Sequence, residues 1–202
     1  MEQKVIFFDL GNVILFFSHE KMLQQIADFC GLPLPQIFQV LIVESVGERY
    51  ERGELSSQEI YEYFCSLSQK KLDFSGLMAA ASAIFNPNEA IFPIIKKLKE
   101  QNVRLILLSN TCPAHFEYAY EHYPILHCFD DFILSYKEKS LKPQKKIFKK
   151  ALQLVDNDAK KCFYIDDIPQ NIEAASQEGI PGVVFTSSEE LYVQLKKNKF
   201  IT

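Results

Sequence analysis

Short, nearly unbroken apolar runs, each followed by a helical pattern, constrain this chain more than any other feature. Val5 to Phe8, Val103 to Leu108, Phe132 to Leu134, Cys162 to Ile165 and Val183 to Phe185 do not alternate with polar residues. A strand with one face in water alternates, whereas a strand covered on both faces reads as a continuous apolar run. Amphipathic stretches lie between these runs. Ile91, Ile94, Ile95 and Leu98 make one face of a helix over 90–101, and Ile147, Phe148, Ala151, Leu152 and Val155 one over 144–155. Ile172, Ala174 and Ala175 mark a third over 171–178, with Gly179 as its stop. Strand and helix in turn predict an α/β fold, a Rossmann-like three-layer core around a parallel sheet.

The alternation breaks once. Between Phe16 and Asn88 no strand is expected and several helices are. One runs from His19 to Cys30 and ends at Gly31 and Pro33, a second covers Gln36 to Val46, and a fourth runs from Phe74 to Phe85, before Asn86-Pro87-Asn88. The third opens at Ser56, with Glu59 at capping-box spacing. At roughly 150 residues per domain, the chain makes about 1.3 domains. An inserted helical-bundle cap over 16–88 accounts for the surplus, with the α/β core formed by 1–15 and 89–202.

Composition removes several function classes. Aromatic residues make up 13% and no long polar tract occurs, so disorder does not explain the surplus. No apolar run approaches the roughly 20 residues of a membrane span, and Met1-Glu2-Gln3-Lys4 opens no apolar leader. The five cysteines are scattered without a C-x-x-C, which fits a reduced cytoplasmic protein. The four histidines form no H-E-x-x-H. A net charge of −4 gives no footprint for nucleic acid, and the lysines between Lys137 and Lys150 read mostly as a solvated helix. Neither a nucleic acid nor a membrane is an expected partner, and monomer and homodimer both stay open.

Ligands of an open parallel sheet bind beyond the carboxyl ends of its strands. There the chain places Asp9-Leu10-Gly11-Asn12, Ser109-Asn110-Thr111, Lys142-Pro143 and Asp166-Asp167, with Asn171 nearby. Each group has an ordinary reading as well. Asp9 could end a strand, Ser109 and Asn110 could cap a helix, and Asp166-Asp167 could be a turn. Together they suit chemistry on a phosphorylated substrate. A carboxylate can take up a phosphoryl group, paired carboxylates can hold Mg²⁺, and a lysine, a hydroxyl and an amide can balance and position the charge.

The stretches F-F-D-L-G-N-V-I, L-L-S-N-T, L-K-P and Y-I-D-D-I-P-Q-N-I-E-A-A, in that order, resemble the four motifs of the haloacid dehalogenase superfamily. The insert looks like that family's small helical cap, and Glu51-Arg52-Gly53-Glu54-Leu55-Ser56 is similar too. Among its members, the resemblance is closest to bacterial sugar-phosphate phosphatases acting on α-glucose 1-phosphate. It implies Asp9 as nucleophile and metal ligand, and the Gly11 carbonyl, Asp166 and Asp167 as the rest of a Mg²⁺ site. It further implies Ser109 and Asn110 as phosphate binders, Lys142 as the link between nucleophile and phosphate, and Asn171 as support. The partner would be a small phosphorylated metabolite. One position departs from the pattern: most phosphatases of the family carry a second aspartate, the general acid and base, where Gly11 stands. That leaves three expectations: a phosphatase with another proton donor, a metal-independent 2-haloacid dehalogenase, or a silent binding protein. The retained Asp166-Asp167 pair speaks against the dehalogenase. His19, Arg49, Tyr50 and Arg52 of the cap receive no role.

Overall fold

The computed structural model describes residues 3–201; Met1, Glu2 and Thr202, the outermost residues of the expected core, lie outside them. β1 (Val5–Phe8) opens the described chain. β2 (Leu15–Phe17) and β3 (Phe85–Pro87) flank the insert, and β4 (Arg104–Ser109), β5 (Asp131–Leu134), β6 (Cys162–Asp166) and β7 (Gly182–Val184) follow. Five strands form one parallel sheet in the order β5-β4-β1-β6-β7. β1 is central, so the chain leaves it in one direction for β4 and later returns to its other side for β6. The strand order therefore reverses at β1, where an open α/β sheet leaves a crevice for ligands.

The strands are continuous apolar runs because both faces are covered. Ile6, Phe8, Leu105, Leu107, Phe163 and Ile165 pack on one side against α6 (Phe92–Glu100), α7 (Pro113–His122) and α11 (Ser188–Lys197). Val5, Phe7, Ile106, Leu108, Cys162 and Tyr164 face α9 (Lys145–Gln153) and α10 (Pro169–Gln177) on the other. Burying each such side chain contributes roughly 1.5–3 kcal/mol. The short α8 (Ser135–Glu138) follows β5 directly.

The insert is a helical cap with a core of its own. It holds α1 (His19–Cys30), α2 (Leu34–Phe38), α3 (Val46–Glu51), α4 (Ser57–Leu67) and α5 (Phe74–Ser82). Leu23, Ile26, Ile37, Ile60, Phe64 and Leu77 meet inside it, joined by Cys112 and Ala114 from the start of α7. Ser18 caps α1 through Lys21 N at 3.1 Å, and Gly31 ends it in the left-handed region at φ 66°. The capping box forms, with Glu59 N donating to Ser56 Oγ at 3.2 Å and Ser56 N to Glu59 Oε2 at 2.8 Å.

Four expectations from the sequence need correction. β2 and β3 pair antiparallel at the base of the cap, where no strand was expected, and Asn88 Nδ2 closes the ribbon on Val13 O at 2.8 Å. Three-residue strands, one containing Pro87, show no periodicity, and their pairing spans the whole insert. The helix expected over Gln36 to Val46 splits into α2, a wide π-helical turn over Gln39–Val43, and α3 after Ser45 at φ 57°. The helix expected to reach Phe85 ends at Ser82, because Phe85 joins the ribbon. The helix expected over 144–155 is shorter at both ends, running from Lys145 behind Gln144 to Gln153. Among the described residues no single helix is long and apolar enough to cross a membrane.

Candidate active site

Three strand ends and one loop build a polar cavity of about 190 Å³. Asp9 is the first residue after β1; its N–H donates to Ile165 O at 2.9 Å, so the turn out of β1 stays tied to β6. Leu10 N donates back to Asp9 Oδ1 at 2.7 Å. Lys142 arrives from the loop before α9, and its Nζ lies 2.7 Å from Asp9 Oδ1 and 2.7 Å from Asp166 Oδ2. That loop is fixed by Asn110. Its Nδ2 donates to Lys142 O at 3.0 Å and its Oδ1 accepts from Lys142 N at 2.7 Å. Asn110 thus reads both main-chain groups of Lys142, and the buried Ser109 lies beside it in the same cavity wall.

Asp166 and Asp167 are not equivalent. Asp166 is fully buried, and its oxygens accept from Lys142, Tyr164 Oη, Ile168 N at 2.8 Å and Asn171 Nδ2 at 3.0 and 3.1 Å. Asp167 is half-buried, lines the cavity and, among the described residues, accepts only from Asn12 Nδ2 at 3.2 Å. Asp9, Asp166 and Asp167 each offer an oxygen within 4.8 Å of the others. Three carboxylates here share one ammonium, so the cluster lacks positive charge. Burial pushes Asp9 up to about 7; Lys142 opposes the rise and Asp166 adds to it. Burial alone would lower Lys142, but Asp9 and Asp166 outweigh it and hold the ammonium above its ordinary value. Hard oxygen donors around a charge deficit fit a divalent cation such as Mg²⁺.

The alternative readings of these residues as plain turns and caps fare poorly. The cap of α7 is Cys112, not Ser109 or Asn110. Gly11 lines the cavity, yet a Cβ built on it would lie 2.7 Å from Phe17 Cε1. The Phe17 ring, packed edge-on against His19 and Phe85, fills the space a side chain at 11 would need.

Glu51, the last residue of α3, is a cavity residue that the sequence alone did not single out. It lines the polar cavity and also a second one, of about 330 Å³, inside the cap. Burial pushes its carboxyl up to about 7; Glu48 adds to this and Lys142 opposes it. The carboxylate makes no hydrogen bond or ion pair among the described residues. Its backbone is nonetheless fixed, because Ser135 Oγ lies 2.7 Å from Glu51 O and also accepts from Thr111 N at 2.9 Å. Gly53, at φ 70°, lets the chain press against Tyr136 O, where a Cβ would come within 2.1 Å. The only signal for Glu51 was its place in E-R-G-E. Of the other cap residues, His19 lines both cavities. Tyr50 Oη accepts from Ala114 N at 3.2 Å and joins cap to core. Arg49 and Arg52 pair with Glu54 and Glu48 at the surface.

The sequence profile of the haloacid dehalogenase-like hydrolases matches residues 3–179. A sesquiterpene phosphatase from Aspergillus oryzae is 21% identical over 195 residues, covering 96% of this chain and 95% of that protein. A family enzyme from Bacteroides thetaiotaomicron superposes with a TM-score of 0.82 at 22% identity, over 95% of this chain and 99% of its own. The same enzyme in complex with magnesium and inorganic phosphate gives 0.76 at 23% identity, over 92% and 95%. A family hydrolase from Porphyromonas gingivalis gives 0.80 at 21% identity, over 98% of each chain.

Proposed function

The chain belongs to the haloacid dehalogenase-like hydrolases, and from that premise we propose a Mg²⁺-dependent phosphatase that hydrolyses a small phosphomonoester through an aspartyl-phosphate on Asp9. The observation that carries this reading is the buried Lys142 ammonium, 2.7 Å from both Asp9 and Asp166 at the carboxyl end of the central strand. It holds the Asp9 carboxylate toward the cavity and leaves a cation's worth of charge to be supplied. Asp9, Asp167 and the Gly11 carbonyl would hold Mg²⁺, which when bound neutralises phosphate oxygens. Asp166, saturated by its four donors, orients Lys142 instead. Halide displacement from carbon would leave this carboxylate cluster without a purpose.

Asp9 Oδ attacks phosphorus, and the bond from phosphorus to the leaving oxygen breaks. Ser109 and Lys142 steady the phosphoryl oxygens, and Asn110 acts through the Lys142 main chain. The departing alkoxide needs a proton that Gly11 cannot give. Glu51 supplies it: the carboxyl lines the same cavity and is poised near neutral pH, as a general acid must be. Water then attacks phosphorus, gives its proton to the Glu51 carboxylate, and releases phosphate and the Asp9 carboxylate. The cap, taken as 16–88 on the β2–β3 ribbon, screens this cavity from bulk water.

For the organic half, the motif resemblance implies a sugar, whereas the likeness to a sesquiterpene phosphatase offers an apolar group. The five free thiols suit a reducing compartment, in keeping with a cytoplasmic enzyme. Turnover of p-nitrophenyl phosphate tests the reading. It should require Mg²⁺, stop with a chelator and vanish in Asp9→Asn. No turnover across pH and metals would leave a silent binding protein, and halide release that survives chelation would return the dehalogenase.

A further inference from the structure

The larger cavity lies in the cap beside the polar one, and His19, Glu51 and His115 line both. Beyond those residues its wall turns aliphatic and aromatic, with Ile26, Leu41, Ile60, Phe64, Leu77 and Met78. Two of the polar side chains that line it are engaged. His115 Nε2 contacts Ala81 O at 3.2 Å, and Tyr50 Oη is held by Ala114 N and Ser57 Oγ. Burial lowers His115 to about 4, so it brings no cation. A hydroxyl-rich group placed there would leave water and find few partners, which disfavours binding. An aliphatic chain would gain with each methylene buried.

A second observation lies at the rim. Leu34, Phe38 and Ile42 follow one another at spacings of four residues and are 41%, 47% and 46% exposed. Ile42 belongs both to this stripe and to the cavity wall. The π-helical turn over Gln39–Val43 carries it there, a local widening often found at functional sites. Apolar side chains thus continue from the surface stripe into the wall of the cap cavity, which reaches Glu51. The volume, about 330 Å³, lies at the small end of ligand pockets, which span roughly 300–1,000 Å³.

We propose that the substrate is the phosphomonoester of an aliphatic alcohol, its phosphate over Asp9 and its hydrocarbon chain in the cap cavity. This rests on the phosphatase reading but is tested apart from turnover. The probes are n-alkyl phosphonates from ethyl to decyl, titrated into the Mg²⁺-loaded full chain by calorimetry, with glucose 1-phosphonate beside them. Kd should fall about fourfold per methylene, roughly 200-fold from ethyl to hexyl, and then level off when the cavity is full. Ala81→Phe, which fills the cavity, should flatten the series. If that variant does not fold, the wild-type series alone decides. A series flat with chain length, or tighter binding of glucose 1-phosphonate than of hexylphosphonate, overturns the proposal. A flat series alongside p-nitrophenyl phosphate turnover overturns this inference and leaves the phosphatase. A steep series without turnover supports the chain site and overturns hydrolysis.

Discussion

The two cavities share a border and little else. The core cavity is built from charges at strand ends, each held by another: Lys142 between Asp9 and Asp166, and Asp166 by Tyr164 and Asn171. The cap cavity is built from the inward faces of helices, with aliphatic groups that make no directed bonds. One arrangement fixes atoms for chemistry; the other offers volume and apolar surface. Among the described residues only His19, Glu51 and His115 line both, and of these Glu51 carries a carboxyl poised near 7. The comparison teaches a division of work. Changes on the core side should strike turnover or stability, changes on the cap side should strike substrate affinity, and Glu51 should feel both.

Asp9→Asn should break the core side most completely. It removes the nucleophile while keeping the shape, so kcat should fall by about four orders of magnitude or more in a chain that stays folded, Lys142 keeping Asp166 as its partner. Normal turnover in that variant would remove Asp9 from the reaction. Lys142→Met should be the largest loss of stability. It leaves Asp9 and Asp166 buried without their cation, which costs about 3–5 kcal/mol. Urea denaturation with and without Mg²⁺ measures it, and a loss below about 1 kcal/mol would show that Lys142 does not stabilise the two buried carboxylates.

Glu51→Gln sharpens the border. Turnover should fall about 10²- to 10⁴-fold, yet the folded chain should gain stability at high pH. The sign follows from the raised pKa. The native state prefers the protonated carboxyl, so its stabilising contribution is full below about 4.5 and disappears as pH rises toward 7. The groups around it are Glu48, Lys142, Cys112, His19 and His115. Glutamine cannot ionise, so the variant should exceed wild type by on the order of 1–3 kcal/mol at pH 8 and match it near pH 4. A purely structural Glu51 would lose stability at both and leave the pH–rate profile unmoved.

Gly11→Asp is the smallest expected effect. Restoring the usual aspartate should not raise turnover, because Phe17 occupies its space, and overpacking should cost about 1–3 kcal/mol. A faster enzyme would mean that the ring moves aside and that Glu51 is dispensable.

Much of the core side was legible in the sequence, and for a physical reason. A covered parallel sheet demands continuous apolar runs, and ligands gather where such runs end, so Asp9, Ser109, Lys142 and Asp166-Asp167 could be read off in order. The unequal roles of Asp166 and Asp167 were not legible. They depend on which carboxylate Tyr164 and Asn171 reach, a matter of side-chain direction. The β2–β3 ribbon escaped because it joins two short segments across the whole insert. Glu51 escaped because its meaning comes from Ser135 and Tyr136, which hold its helix end at the seam from far along the chain. The cap cavity escaped because helix periodicity shows which residues point inward, not where they leave space.

Phosphate should pass through Asp9 on its way to water. Rapid acid quenching of the Mg²⁺-loaded protein during p-nitrophenyl phosphate turnover, followed by borohydride reduction and peptide mass analysis, tests it directly. Homoserine should appear at position 9, with a larger yield in Glu51→Gln, where hydrolysis of the acyl phosphate is slowed. Steady turnover with Asp9 unmodified, or phosphate trapped on another residue, would contradict it.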